Sequence, residues 1–193
     1  AYLLDTATQA GLRTAALCIE DIGFDTGANC FVDLDEQPIS HCFKLYPWEW
    51  MYRDAFGAML DKTDTCFIEP AWKLLLSCKA ILPILWRLNP GHPNLLPATF
   101  APELEAPYVR KPLYSREGAN VTLVTMGAPV SVPGPYGEEG FVHQAAATLP
   151  SFDGRFPVIG SWVVGDAPAG MGIREDASPI TTNTSRFVPH YFL

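Results

Sequence analysis

From residue 108 onward the chain is a succession of short apolar runs broken by turn clusters, and this pattern limits the fold more than any other feature. The runs are YVRKPL (108–113), NVTLVT (120–125), FVHQAAATLP (141–150), FPVIGSWVV (156–164) and PAGMGIRE (168–175). Between them lie clusters such as PGPYGEEG (133–140) and SFDGR (151–155). Runs rich in β-branched and aromatic residues, bounded by Gly, Pro, Asp and Ser, predict strands, and connections this short predict antiparallel pairing. The apolar, aromatic ending SRFVPHYFL is expected to dock rather than hang free.

The first half reads differently. Residues 1–13 (AYLLDTATQAGLR) carry apolar positions at helical spacing, with Gly11 placed as a C-terminal cap. TAALCIED (14–21) reads as a buried strand, and the pair suggests an α/β unit. CFVDLDEQPI (30–39) alternates like an exposed hairpin strand. Residues 41–60 predict a strand and then a helix, with Pro47 in its first turn and Trp48, Trp50 and Tyr52 close by. Residues 66–88 predict a short strand, a turn at Pro70 and a helix bent or restarted around Pro83. Residues 89–100 (NPGHPNLLPATF) are loop by composition. The expected class is α+β, an antiparallel sheet with packed helices preceded by part of an α/β unit. The expected division is 1–65 and 66–193.

Composition removes several functions. A net charge of −8 and a pI near 4.9 argue against a nucleic-acid partner. The most apolar run, LLLSCKAILPILW (74–86), is too short to span a bilayer and contains Lys79 and Pro83, so no membrane partner is expected. Five cysteines without a CxxC or metal-ligand spacing predict free thiols in a reducing compartment, and hence a cytoplasmic location. The four histidines form no recognisable nucleophile arrangement, and no HExxH or EF-hand spacing exists. No metal ligand is assigned within the chain.

What remains is a set of cations. Lys111 precedes Pro112, which holds its backbone extended. The following SREGAN turn (115–120) suits a nest of backbone N–H groups, and Arg116 adds a guanidinium able to grip a phosphate with two bonds. Lys79 interrupts an apolar surface, either snorkelling or pointing at a phosphate. Arg174 ends a Gly-rich strand, either in a surface ion pair with neighbouring acids or in a site. The residues alone reach a small-anion pocket, with a nucleotide as one candidate occupant.

Three blocks go further. IEPAWKLLLSCKAILPILWRLNPGHPNLLP (68–97), YVRKPLYSREGANVTL (108–123) and PAGMGIREDASPI (168–180), with the ending SRFVPHYFL, resemble the carboxy-terminal part of glutathionylspermidine synthase-like proteins. These are carbon–nitrogen ligases of the ATP-grasp superfamily. The resemblance covers essentially the whole chain and leans towards members without an amidase domain. It implies an ATP-grasp-like fold in which Lys79 and Lys111 grip ATP phosphates and Glu117 and Gly118 belong to a loop that covers them. Gln144, Ala145, Ala146 and Ala147 then line the adenine, and Pro179, Ile180 and Thr181 form a further wall. Arg174 stabilises the transferring phosphate. Val158 stands where the spermidine enzyme has a polar contact, and Glu49 and Trp50 lie near a peptide-substrate site.

The implied chemistry is phosphorylation of a glutathione-like carboxylate by ATP, then attack by a polyamine-like amine to form an amide. The implied Mg²⁺ ligands, an Asp and a Glu-x-Asn pair, fall upstream of Ala1 together with most substrate contacts. The chain is therefore expected to be a carboxy-terminal fragment, inactive alone, that works with the remainder of its parent. The alternative is a non-catalytic nucleotide- or partner-binding module that keeps the fold.

Overall fold

A computed structural model describes residues 2–191. The chain forms two compact units, residues 1–74 and 75–193. The sequence drew its line nine residues earlier, but Cys66–Ile68 forms a strand paired within the first unit.

The first unit opens with helix α1 (Tyr2–Gln9). Its end is closed as the sequence predicts: Gly11, at φ +81°, donates to the Thr8 carbonyl and Leu12 donates to the Ala7 carbonyl. This pair of bonds is the Schellman closure, which satisfies carbonyls the helix leaves open. The strand expected at 14–21 does not form. Residues 14–18 are irregular and exposed, and Ile19–Asp21 makes one 3₁₀ turn. An apolar run becomes a strand only beside a partner, and the ladders of this unit are formed by other segments.

Strands β1 (Gly23–Asp25) and β2 (Cys30–Val32) pair antiparallel. The expectation of an exposed strand at 30–39 is corrected in two ways. Cys30 and Phe31 are buried, and the strand stops at Val32 because Asp33 Oδ1 accepts from the Asp35 and Gln37 amides at 2.9 Å each and turns the chain. Strand β3 (His41–Phe43), helix α2 (Trp48–Met51, Pro47 at its N-cap) and strand β4 (Cys66–Ile68) follow. β3 and β4 pair in parallel, so the α/β character lies here and not at the N-terminus. Phe31 sits at the centre of an aromatic cluster, with ring centroids 5.0 Å from Phe24 and 5.5 Å from Phe67. Edge-on aromatic pairs add roughly 0.5–1.5 kcal/mol each beyond the area they bury.

Helix α3 (Leu74–Ser77) and helix α4 (Ile81–Leu88) are separated by Cys78–Ala80. The break precedes Pro83, which occupies the first turn of α4, where its missing N–H costs nothing. Lys79 stands in the gap, and its amide donates to the Leu113 carbonyl at 2.9 Å.

The second unit holds the sheets foreseen from the turn-punctuated runs. Strands β5 (Ala98–Thr99), β6 (Tyr108–Pro112), β7 (Thr122–Val124), β8 (Val130–Ser131) and β9 (Phe141–Ala145) form an antiparallel sheet in the order β5-β9-β6-β7-β8. β5 lies inside the segment expected to be loop; it is a two-residue pairing held by β9. Strands β10 (Phe156–Val164), β11 (Ala167–Asp176) and β12 (Arg186–Val188) form a second antiparallel sheet. The two-residue turn Gly165–Asp166 joins β10 to β11 with both residues at positive φ, as a hairpin turn of this length needs. The tail docks through β12, while Phe187 and Tyr191 remain exposed; Phe192 and Leu193 lie outside the described residues. Val142 and Pro112 are fully buried, marking the core beneath β9 and β6. Among the described residues no helix is long and apolar enough to cross a membrane.

Candidate functional site

One face of the five-stranded sheet supports a cleft of about 480 Å³, within the ~300–1,000 Å³ usual for small-molecule sites. Val109 and Lys111, two apart on β6, both reach it, as the two-residue period of a strand requires. Gln144, cross-strand partner of Val109, and Leu123 on β7 share the floor. Ala145, Ala146 and Ala147 run along one side, and Gly118, Pro179 and Ile180 along another.

Lys111 gives the cleft its electrostatic character. Its Nζ donates to Gln144 Oε1 at 2.7 Å, and burial pushes its pKa down. Among the described residues no carboxylate pairs with it. A half-buried ammonium with a neutral partner is held at a cost that an incoming anion would relieve.

The loop expected to face the phosphates is a tight turn. Glu117 and Gly118 are both left-handed, at φ +51° and +72°. The Ala119 and Val121 amides close back on the Arg116 and Gly118 carbonyls at 3.0 Å each. A Cβ on Gly118 would lie 2.6 Å from the Thr181 carbonyl oxygen and 2.9 Å from Ile180 Cγ2, so the loop rests directly on the 180–181 wall. Asn120 Oδ1 accepts from the Tyr136 amide at 3.0 Å and ties the other side down.

Lys79, Arg116, Glu117, Thr181 and Arg174 do not line the cleft. Two of these are joined to its loop. Lys79 Nζ donates to the Ser115 carbonyl at 2.8 Å and to Ser115 Oγ at 3.0 Å. Arg174, cross-strand partner of Val158, is 3.3 Å from Glu117 Oε2 and also donates to the Thr182 carbonyl. Its Nε is buried with no hydrogen-bond partner among the described residues. The Ala145 and Ala146 amides are already given to the Pro97 and Pro107 carbonyls, at 2.8 and 3.1 Å. Ala147 is the first of this run beyond those bonds. Glu49 and Trp50 belong to the first unit, where Glu49 is buried and Trp50 packs edge-on against Tyr46 at 5.4 Å.

Sequence reasoning missed the apolar floor and rim of the cleft, Val109, Leu123 and Phe156. Each reads as ordinary core, and only the register reveals which face it takes. It also missed Ser115, whose place beside Lys79 depends on a contact 36 residues apart.

The cleft defines a class: a mixed α and β protein with antiparallel sheets and a cation-bearing small-molecule cleft on one sheet face. The comparisons specify it. The family model described as glutathionylspermidine synthase preATP-grasp matches residues 1–193, and the chain belongs to that family. It is 48% identical to the "Putative acid–amine ligase" of Haemophilus influenzae over 100% of this chain and 52% of that protein. It is 35% identical to the trypanothione synthetase of Crithidia fasciculata over 96% of this chain and 33% of that protein. It is 27% identical to the bifunctional glutathionylspermidine synthetase/amidase of Escherichia coli over 94% of this chain and 34% of that protein. The chain thus spans from about half to a third of the length of these curated relatives.

Proposed function

We propose that the chain is the nucleotide-binding part of an ATP-dependent ligase with an ATP-grasp fold, which joins a carboxylate to an amine as an amide. The family membership and the names of the relatives support the ligase class. The observation that carries the nucleotide reading is Lys111: a partly buried ammonium facing a cleft of ligand size, with no carboxylate among the described residues to neutralise it.

The residues present fit ATP. Lys111 would meet a phosphate, and Gln144 orients its ammonium through the 2.7 Å bond. The apolar run Ala145–Ala147 with Ile180 would sandwich the base, with backbone recognition falling to Ala147 because the two preceding amides are spent. Lys79 bonds Ser115 and Arg116 follows it in the chain, and in this reading both add charge to the phosphates together with the Glu117–Gly118 turn. Thr181 backs the turn, and Pro179 closes the wall. Arg174, with an unmet Nε–H and a carboxylate it can release, is suited to follow charge on a transferring phosphoryl group. Bound ATP would supply the phosphoryl group that activates the carboxylate. Positioned cations suit this chemistry because it asks little covalent help of the protein.

Magnesium is a different matter. Among the described residues no three His, Cys, Asp or Glu side chains form a metal-holding group, so the residues here do not fit the ion. A glutathione-like acid, a polyamine-like amine and a cytoplasmic location complete the proposal, with metal ligands supplied by upstream residues of the parent.

The test uses the full-length protein. Calorimetric titration with ATP is expected to give a roughly 10- to 100-fold weaker affinity for Lys111→Ala, the range for losing one charge-assisted contact. ADP release should require both a thiol-peptide carboxylate and a polyamine. Equal affinity of mutant and wild type would overturn the nucleotide reading, and binding without turnover would favour a non-catalytic module.

A further inference from the structure

The part of the cleft wall formed by Pro179 and Ile180 is not held by a strand. Residues 177–185 connect β11 to β12, and within this connection Pro179 and Ile180 face the cleft. An irregular segment needs something else to fix it, and here the fixing group is one carboxylate. Asp176, the last residue of β11, accepts from the Ser178 amide at 3.1 Å through Oδ1 and from Ser185 Oγ at 2.5 Å through Oδ2. Ser185 is buried, 7% exposed, and its Oγ in turn accepts from the Thr182 amide at 2.8 Å. Ser178 Oγ accepts from the Ile180 amide at 3.2 Å. The two ends of the connection are thereby tied to a single acid.

Three features of the site depend on the resulting course of the backbone. Ile180 is buried against the cleft. The Thr181 carbonyl is the surface on which Gly118 rests. The Thr182 carbonyl accepts from Arg174. The Asp176 carboxyl is itself held below its usual pKa, first by the Ser185 hydroxyl and then by the Ser178 amide, so it is ionised at neutral pH and accepts from both.

We propose that Asp176, acting through Ser185, is a positioning residue for the nucleotide cleft: it sets the place of the Ile180 wall, of the Gly118 seat and of the Arg174 guanidinium at once. The inference rests on the nucleotide reading and deepens it. Asp176 does not line the cleft, and its effect passes through the backbone it folds.

The experiment measures ATP affinity and steady-state kinetics of the full-length protein carrying Asp176→Asn, Ser185→Ala or both, with Ser131→Ala as a control. Ser131 donates to Thr122 Oγ1 at 3.0 Å outside the cleft lining, so losing its hydroxyl should leave affinity unchanged. Each network variant is expected to weaken ATP binding by roughly tenfold, the scale of one lost charge-assisted bond. The KM for ATP should rise while the KM for the amine stays put, a split that a general loss of stability does not produce. The double variant should bind within about twofold of the weaker single one, because both act on one path. Folded variants with wild-type affinity would overturn the inference and leave the nucleotide reading standing. Unfolding of both variants would also overturn it, since the network would then serve folding at large. A wild-type protein that binds no ATP would remove the nucleotide reading, and this inference with it.

Discussion

Burial of Lys111 bears on stability as well as on the proposed nucleotide site. Its ammonium is desolvated in the folded chain, and its pKa is lowered by burial. Near neutral pH the folded state therefore holds a charge that the unfolded state holds more comfortably. Between the lowered folded pKa and the ordinary lysine value, the unfolded chain keeps its proton and the folded chain has released it, so stability rises with pH across that window. Lys111→Met removes the charge and keeps the length. The variant is expected to be more stable at pH 7 by on the order of 1 kcal/mol, or about 2–4 °C in Tm for a chain of this size, while its affinity for ATP falls. Differential scanning calorimetry beside the binding titration checks both signs. A mutant that is less stable as well as weaker binding would make the lysine a packing residue. The sequence revealed this residue as a cation fixed by a following proline. It could not reveal the neutral partner, because Gln144 is 33 residues away.

At the level of elements, the Glu117–Gly118 turn meets two separate constraints, and a matched pair of glycines separates them. Gly118 and Gly154 have nearly the same backbone, φ +72° and +74°. A Cβ on Gly154 would meet nothing within 4 Å, whereas one on Gly118 would collide with the Thr181 carbonyl at 2.6 Å. Gly154→Ala is expected to cost about 1 kcal/mol from backbone strain alone and to leave ATP binding intact. Gly118→Ala should cost about 1–3 kcal/mol more, because backbone must move, and should weaken binding by displacing the 180–181 wall. Urea unfolding and calorimetric titration of the two variants decide it; equal effects would mean that the contact is not a constraint. The elements themselves were legible in proportion to how locally they are determined. β6, β7, β9 and β10 fall within runs bounded by turn residues, β11 overruns its own by one residue at each end, and the cap at Gly11 follows from one glycine. TAALCIED has the same local look as those runs but no ladder partner, and Phe31 looks exposed until Phe24 and Phe67 close on it. β5 and the parallel pairing of β3 with β4 are specified by partners far along the chain. In the cleft, Lys111 stood out in the sequence as a cation, Pro179 and Ile180 came only with the family resemblance, and the hold of Asp176 on that wall was not visible because it runs through Ser185, nine residues on.

Over the whole molecule, the shifted ionisable groups divide between the two units by sign. In the second unit His143 is buried on β9 opposite Arg110, and its pKa is lowered chiefly by burial and then by that guanidinium, against an opposing backbone bond at Phe100. As pH falls below the ordinary histidine value the unfolded chain binds the proton first, so the unit loses stability. Asp176 adds a lower acid limb, since its depressed pKa gives stability that is lost as pH falls through the folded value. Lys111 acts the same way at the other end, favouring this unit as pH rises. In the first unit the shifts are opposite. Burial raises Cys42 against the pull of Lys44, and it raises Tyr52 together with the hydrogen bond the phenol gives Asp61 at 2.9 Å. Groups whose folded pKa is raised contribute stability that is present below their unfolded values and lost as pH climbs through the folded ones. Acid should therefore weaken residues 75–193 first, and alkali residues 1–74. Single-tryptophan versions retaining Trp48 in the first unit or Trp86 in the second give each unit its own probe. In urea titrations the Trp86 midpoint is expected to drop more between about pH 7.5 and pH 5, and the Trp48 midpoint more between about pH 7.5 and pH 10. His143→Gln should flatten the Trp86 acid slope above pH 5 whatever it does to the midpoint itself. Midpoints that move together at both extremes would mean that the two units unfold as one.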